Sequence, residues 1–240
     1  MRLNCSDLNV FVSFMFDDGR SSIYDVVFPL FESNNIVGSI AFVGSYIDKK
    51  GYLMSEQLSE LLERGWSMGD HTFTHPNMYN ISIERLYYEI KRNQVLAERK
   101  FGYRLYYFIF PKSKARAEQI SFILKNYAYA FTGTSKIVSN LPPFRGLLTR
   151  TEISLYEIAR FFMQGRYFFR ELIRKISSMK SSNATQWFIL YTHNVSMIPS
   201  LFDMPKKQFA QLIETLEELE IPILSVDSIL SSESNITTKI

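Results

Sequence analysis

Five acidic and imidazole side chains follow apolar runs and are the first candidates for chemistry. Asp17 and Asp18 end the run FVSFMF, and two adjacent carboxylates after a buried segment need a cation, a proton or solvent beside them. His71 and His75 lie four residues apart in HTFTHP, a spacing that can bring both imidazoles onto one metal ion. His193, the third and last histidine, ends the run WFILYT.

Asp18, His71 and His75 are the candidate metal ligands. One carboxylate and two imidazoles can form a facial triad that leaves coordination positions open for water and substrate. An isolated pair of histidines at this spacing is more often a surface or packing feature. Here FDDG, HTFTHP and ILYTH all fall at predicted strand ends, and no histidine remains elsewhere in the sequence. The combination therefore indicates a metal site more strongly than the spacing alone.

Strand-like and helix-like stretches alternate along the chain without a composition break that would mark a linker. The predicted strands are FVSFMF, GSIAFVG, WSMGDH, LYYFIFP, YAFTG, WFILYTH and IPILSV. The predicted helices are SSIYDVVFPLFESNN with a kink at Pro29, SEQLSELLERG, residues 82–100, AEQISFILKNY and PKKQFAQLIETLEELE. This alternation predicts an α/β fold with a parallel sheet, open or closed into a barrel, in one domain over residues 1–240. Reactive groups then belong at the carboxyl ends of the strands.

Composition and charge exclude several classes of protein. With 27 basic and 24 acidic residues, the formal net charge of +3 is too small to indicate a nucleic-acid binder. No run approaches the roughly 20 apolar residues of a membrane span, and the first residues lack the pattern of a secretory signal, so we expect a cytoplasmic protein. The single cysteine, Cys5, excludes an internal disulfide.

The motifs resemble those of the polysaccharide deacetylases that carry the NodB homology domain, carbohydrate esterase family four. The first family motif, T-F-D-D-G, is similar to MFDDG, the second, H-[ST]-x-x-H-P, to HTFTHP, and the late leucine-histidine motif to ILYTHN. The resemblance extends from about residue 10 to residue 226. It implies a distorted (β/α)7 barrel and a metal-dependent hydrolase that removes an acetyl group from an N-acetylated amino sugar.

Position by position, the resemblance implies that Asp17 is the catalytic base, that Thr72 stabilises its loop and that His193 is the general acid. The metal on the three candidate ligands is expected to be zinc. These residue types suit amide hydrolysis, in which a divalent cation polarises the carbonyl and activates water. An ionised aspartate then takes a proton from that water, and a histidine delivers one to the leaving amine.

Two motifs of the family are altered in this sequence. The third usually carries an arginine before a proline-aromatic pair, whereas here FIFP is followed by Lys112. Pro111 and Lys112 are therefore candidates for substrate binding or support of the site, although Lys112 is more simply a solvated loop residue. The D-x-x-D-W segment, which supplies an aspartate partner for the acid histidine, is missing. The stretch NLPPFRGLLTRTEIS offers Arg150 or Glu152 instead, and either can reach the pocket or be a surface charge.

Residues 158–176 mix paired phenylalanines with four arginines and are predicted to form a pair of amphipathic helices. The simpler interpretation packs these helices on the barrel with their arginines in solvent. The alternative is peripheral contact with an anionic membrane. A basic patch would suit a nucleotide-linked or lipid-linked sugar as substrate, in the cytoplasmic synthesis of a surface polysaccharide.

Two other functions stay open at this stage. The chain can keep the fold and lose the reaction, serving as a sugar-binding or assembly protein. It can also hydrolyse a formamide or another small linear amide in the same site. Asp17 favours an enzyme, because a site that only binds metal has no evident use for a base.

Overall fold

Seven parallel strands close into a barrel in the order β1 to β7, as seen in a computed structural model that describes residues 8–142, 144 and 146–237. Cys5 lies outside these residues. The strands are β1 Val10–Asp17, β2 Ser39–Phe42, β3 Ser67–Asp70, β4 Tyr107–Ile109, β5 Tyr129–Thr134, β6 Gly146–Glu152 and β7 Gln186–Thr192. The short strands β8 Val195–Ser196 and β9 Met204–Pro205 pair with each other beyond β7. Of the alternatives left by the sequence, the closed barrel is confirmed.

Helices follow most strands and cover the barrel. They are α1 Phe28–Ser33, α2 Ser55–Glu63, α3 Ile83–Phe101, α4 Ala117–Asn126, α5 Leu155–Met163, α6 Phe168–Ser178, α7 Lys206–Glu218 and α8 Val226–Thr237. The longest, α3, begins where the Ser82 hydroxyl accepts the Arg85 N–H, and it ends at Gly102 with φ +62°. Among the described residues, no helix is both long and apolar enough to cross a bilayer.

Alternation along β1 decides which side chains enter the barrel. Val12, Phe14 and Phe16 pack outward in the layer between the sheet and the helices. Phe11 and Met15 pack inward with residues of β2, β4, β5, β6 and β7. Because side chains of a strand alternate between its faces, the inward set continues to Asp17.

The same alternation aligns two other strands, β6 and β7, with the end of β1. Trp187, Ile189 and Tyr191 of β7 face inward, and Leu148 does so on β6. Continuing by two residues places Arg150 on the inner face of β6 and directs His193 toward the interior just beyond β7. The carboxyl end of the barrel therefore receives titratable side chains from three neighbouring strands, β6, β7 and β1.

The amino end of the barrel is splayed and filled by other segments. Strands β6 and β7 pair only at Thr151↔Leu190 and Glu152↔Tyr191, near their carboxyl ends. Toward the amino end, Asn140 connects β6 and β7, because its backbone pairs with Trp187 and its side chain forms hydrogen bonds with the backbone of Thr149. Helix α8 packs on the interior cluster at this end. The gap between β6 and β7 thus lies at the end away from the site.

Two predicted elements need correction, and one strand was not predicted. The stretch IPILSV is not a strand, because only Ile223 forms a bridge, to Val12, before α8 begins. The first predicted helix is divided into a π-helical segment, Ile23–Val27, and α1, with Pro29 in the first turn of α1. The strand β6 was not predicted, because the inward positions after Leu148 carry Arg150 and Glu152 rather than apolar residues. The predicted pair of amphipathic helices is present as α5 and α6.

Candidate active site

Asp18, His71 and His75 converge at the carboxyl ends of β1 and β3. Their potential ligand atoms all lie within 4.8 Å of one another. The His75 Nε2 and Asp18 Oδ1 atoms are 3.6 Å apart, too far for a good hydrogen bond. Two ligands about 2.1 Å from a tetrahedral zinc ion lie about 3.4 Å from each other, so this spacing is suitable for a shared ion.

The protonation of the two imidazoles also suits a metal. The His71 Nδ1–H donates to the Ile109 carbonyl at 2.9 Å, which leaves Nε2 as the free lone pair. Burial lowers the pKa of His71 to about 4, and burial likewise lowers the pKa of His75. Both rings are therefore neutral near pH 7, the form that binds metal.

Asp18, the third candidate ligand, has a strained backbone conformation. Its φ is +70°, and that of the following Gly19 is +69°, so the chain turns sharply as β1 ends. The Oδ1 atom is buried and has no hydrogen-bond partner in the described part of the chain. A buried, unpaired carboxylate oxygen is costly unless a cation satisfies it. The residues present therefore fit a divalent metal ion.

Asp17 faces a different partner. The Arg150 guanidinium reaches across from β6 and contacts both carboxylate oxygens, Nη1 to Oδ1 at 2.5 Å and Nη2 to Oδ2 at 3.1 Å. It lies 4.1 Å from the centre of the Tyr191 ring and is fully buried. Burial raises the pKa of Asp17, but the charge and hydrogen bonds of Arg150, aided by His71 in the acid range where its ring is protonated, outweigh burial and lower that pKa to about 2. Asp17 is therefore ionised at neutral pH.

A buried polar network supports the loop that carries the histidines. The Asp70 carboxylate accepts hydrogen bonds from the Thr72 N–H at 2.8 Å, the Asn93 amide at 2.9 Å and the Tyr127 hydroxyl at 2.6 Å. Burial raises the pKa of Asp70 to about 6 against the effect of these donors. Asn93 also bonds Gly44 and so connects α3 to the loop after β2.

Glu89 of α3 holds the other side of this loop. One oxygen accepts the Thr74 N–H at 2.7 Å, and the other accepts the Thr74 hydroxyl at 2.8 Å and the Arg85 Nε–H at 3.0 Å. The Thr72 hydroxyl accepts the His75 N–H at 3.1 Å. Thr72 and His75 both have positive φ, and these bonds hold them there.

A cleft of about 1010 Å³ opens beside this cluster and is lined by Asp17, Lys112 and His193. The His193 Nδ1 atom is buried without a hydrogen-bond partner in the described chain. Lys112 is exposed at the cleft with φ +56°, directly after the buried Pro111. The carboxylate expected beside His193 is not supplied by Glu152, which accepts instead from the Tyr191 hydroxyl at 3.3 Å.

Gly133 permits close packing in the wall of the cleft. A Cβ atom at this position would lie 2.3 Å from the Ser113 hydroxyl and 2.4 Å from the Tyr191 hydroxyl. Any larger residue would push these groups away from the site. Gly133 therefore helps to set the shape of the cleft.

Sequence reasoning missed the supporting residues. Asp70, Asn93 and Glu89 lie outside the quoted motifs, and their importance follows from burial among apolar neighbours. A signal exists on α3, where Glu89 and Asn93 share the face of the buried Leu86 and Ile90. Of the two residues expected to reach the pocket, Glu152 lines the cleft, whereas Arg150 is fully buried and contacts the Asp17 carboxylate instead.

Comparisons with known proteins agree with this geometry. The family model described as "Polysaccharide deacetylase" matches residues 9–131, which include Asp17, Asp18 and both loop histidines. The chain belongs to the polysaccharide deacetylase family. It is similar to a putative polysaccharide deacetylase, YxkH, of Bacillus subtilis (strain 168), with 23% identity over 105 residues. That match covers 44% of this chain and 38% of the relative.

Solved structures show the same fold. The Xyl-CE4 domain of a multidomain xylanase from the hindgut metagenome of Trinervitermes trinervoides superposes with a TM-score of 0.61 at 15% identity, over 93% of this chain and 91% of that one. A mutant of a CE4 family pseudoenzyme with restored enzymatic activity gives 0.59 at 12% identity, over 92% and 67%. At these identities the likeness establishes the fold alone.

Proposed function

We propose that this protein is a metal-dependent hydrolase that removes an N-acetyl group from an amino sugar. The observation that supports this most strongly is the adjacency of two differently held carboxylates. Asp17 is paired with Arg150 and ionised, whereas Asp18 faces two neutral imidazoles with a free oxygen. One carboxylate thus suits a base and the other a metal ligand.

Asp18, His71 and His75 would hold the ion, and zinc is the metal we propose for this set of nitrogen and oxygen ligands. When bound, a divalent ion would polarise the acetamide carbonyl and lower the pKa of water. The protein's own contribution is to keep both rings neutral and oriented, by burial and by the bond from His71 to Ile109. Because both imidazole rings are already neutral, their nitrogen lone pairs can bind a metal ion without first losing a proton.

Asp17 would accept a proton from the attacking water. Its low pKa keeps it ionised, and Arg150 restricts its rotation, so that the carboxylate stays in one orientation at the cleft. His193, which follows the neighbouring strand β7, would donate a proton to the leaving amine. Its unpartnered Nδ1 and its place beside the cleft support this role.

Three further residues would support the site. Thr72 would stabilise the histidine loop through its bond from the His75 N–H. Lys112 would contact polar groups of the sugar, because it is exposed and lines the cleft. Pro111 is buried and would fix the turn that presents Lys112.

Loss of the reaction is the main alternative, and a pseudoenzyme exists among structures of the same fold. The buried ion pair between Asp17 and Arg150 favours an active enzyme. Keeping two buried charges is expensive unless their function requires them. Hydrolysis of a formamide is the second alternative, because the same residues would act on either acyl group.

We also propose a cytoplasmic role in the synthesis of a surface polysaccharide, on a nucleotide-linked or lipid-linked sugar. Helices α5 and α6 would make peripheral contact with a membrane. Support comes from exposed apolar residues of this region, Phe162, Met163 and Tyr167, beside basic side chains. Liposome binding no better than that of a control protein would contradict the membrane contact.

The experiment that tests the activity measures acetate and formate released from N-acetyl and N-formyl amino sugars, both simple and carrier-linked. We expect acetate release that depends on added zinc. Release of formate alone would support the second alternative. No release from any substrate by the zinc-loaded protein would favour a binding protein.

A further inference from the structure

A second pocket of about 690 Å³ adjoins the cleft, and Ser135 lines both. The pocket lies between the segment after β5 and the helices α5 and α6. Its cationic side chains come from all three of these segments and from the α5–α6 turn. They are Lys136, Arg160, Arg166, Arg174 and Lys175.

These cations outnumber the carboxylates near them. Glu171 lines the pocket and pairs with Arg166, while the buried Glu157 pairs with Arg160 at 2.5 Å. Lys136, Arg174 and Lys175 form no ion pair with any described residue. The pocket therefore retains a net positive charge that a ligand can use.

Several of these side chains are held in place before a ligand binds. The guanidinium carbons of Arg160 and Arg166 lie 4.8 and 4.5 Å from the centre of the Phe161 ring. Arg160 also donates to the Ser135 carbonyl at 2.8 Å. The Lys175 ammonium donates to the Ile137 carbonyl at 2.6 Å. Fixed cations lose less conformational freedom when an anion binds.

We propose that this basic pocket binds the phosphate groups of a carrier to which the sugar in the cleft is attached. This inference rests on the proposed function and names the substrate class. Guanidinium groups bind phosphate oxygens through paired hydrogen bonds, and a diphosphate carries enough charge to use several cations at once. A neutral glycan would gain little from them. The sugar would lie beside Asp17, and the phosphates would cross the rim at Ser135.

Arg174→Gln and Arg170→Gln form a matched pair of variants for a binding test. Both residues are exposed, both lie on α6, and both changes remove one positive charge. Only Arg174 lines the basic pocket, whereas Arg170 lies 5.1 Å from the Tyr167 ring outside it. Neither variant disturbs a buried contact, so both are expected to fold.

The probe is inorganic pyrophosphate, measured by titration calorimetry on the zinc-loaded protein at low salt. We expect Arg174→Gln to weaken binding on the order of tenfold and Arg170→Gln to weaken it by less than about twofold. Equal effects would show a general attraction between charges and overturn the proposal. If neither substitution changes binding, pyrophosphate binds elsewhere, for example on the metal, and the proposal is overturned. If the wild type does not bind pyrophosphate, the proposal is overturned as well.

Kinetics then test the substrate class. We compare acetate release from an N-acetylhexosamine joined to a nucleoside diphosphate, from one joined to a prenyl diphosphate, and from the methyl glycoside. For a diphosphate substrate, Arg174→Gln should raise KM on the order of tenfold with kcat nearly unchanged, and it should leave the methyl glycoside unaffected. The carrier with the lower KM identifies the source of the phosphate.

The two proposals fail in different ways. If the methyl glycoside is as good a substrate as both diphosphates, the carrier proposal is overturned while the deacetylase proposal stands. If no substrate releases acetate but pyrophosphate binding still requires Arg174, the deacetylase proposal fails and phosphate binding by the pocket is supported.

Discussion

Arg150 and Asp17 form a buried, two-point ion pair across β7, which lies between their strands. The arginine is fully buried, and Asp17 is 3% exposed. A pair of this kind needs the barrel to be closed, because β6 and β1 are brought within reach only when β7 pairs with both. The pair therefore links the fold to the ionisation of the candidate base.

Removing Arg150 should both destabilise the protein and impair Asp17. In Arg150→Met the Asp17 charge is left buried without its partner, so we expect a loss of about 3–5 kcal/mol in the free energy of unfolding. The double variant Arg150→Met, Asp17→Asn should regain much of this loss, because no buried charge remains. Urea unfolding of the single and the double variant measures the two changes in the free energy of unfolding. An Arg150→Met variant as stable as the wild type would show that the Asp17 charge is not left buried without a partner when Arg150 is removed.

The two aspartates should respond differently to the same substitution. Asp17→Asn should keep the metal but lose turnover by about two to four orders of magnitude, because an amide cannot accept the proton from water. Asp18→Asn should weaken metal binding first. Metal content after dialysis, measured beside acetate release, distinguishes the two. Equal loss of metal in both variants would refute this division of roles.

His193→Ala tests the general acid. An amide needs a proton on its leaving nitrogen, so we expect its hydrolysis to fall by roughly two to four orders of magnitude. An activated ester has a good leaving group and should be affected far less. The ratio of the two rates in one variant is the measurement. Normal amide turnover would assign the acid to another residue.

Glu89→Gln tests the support of the histidine loop. Glutamine offers one acceptor oxygen where Glu89 uses two, so the bonds to Thr74 cannot all form. We expect metal affinity to fall about 10- to 100-fold with Asp18 and both histidines intact. Glu84→Gln is the matched control, since Glu84 is exposed on the same helix. Equal affinity in the two variants would exclude a supporting role for Glu89.

Much of the fold could be predicted from the sequence, because five strands of the barrel are apolar runs that end in polar residues and are followed by helical patterns. The convergence of Asp18, His71 and His75 follows from the same fact, since parallel strands place their carboxyl ends together. The closure of the parallel sheet into a barrel was predicted from the motif resemblance. The catalytic roles of individual residues remain predictions.

Other features depend on tertiary structure and could not be read from local pattern. Strand β6 has charges at its inward positions, and only the closed barrel shows that Arg150 has a buried partner. The segment around Ile223 looks like a strand because it is apolar. It lies beside β1 at Val12, before the part of β1 that pairs with β2, and it forms a single bridge there. The polar network of Asp70 joins residues 57 positions apart.

The measurement that tests the central claim most directly is acetate release by metal-free protein as zinc is added. We predict that release is absent after chelation, rises with zinc and saturates at about one ion per chain, with His75→Ala failing to respond in the same range. Release that persists in the metal-free protein, or no release of acetate from any N-acetylated sugar at saturating zinc, would contradict the claim that Asp18, His71 and His75 form the metal centre of a deacetylase.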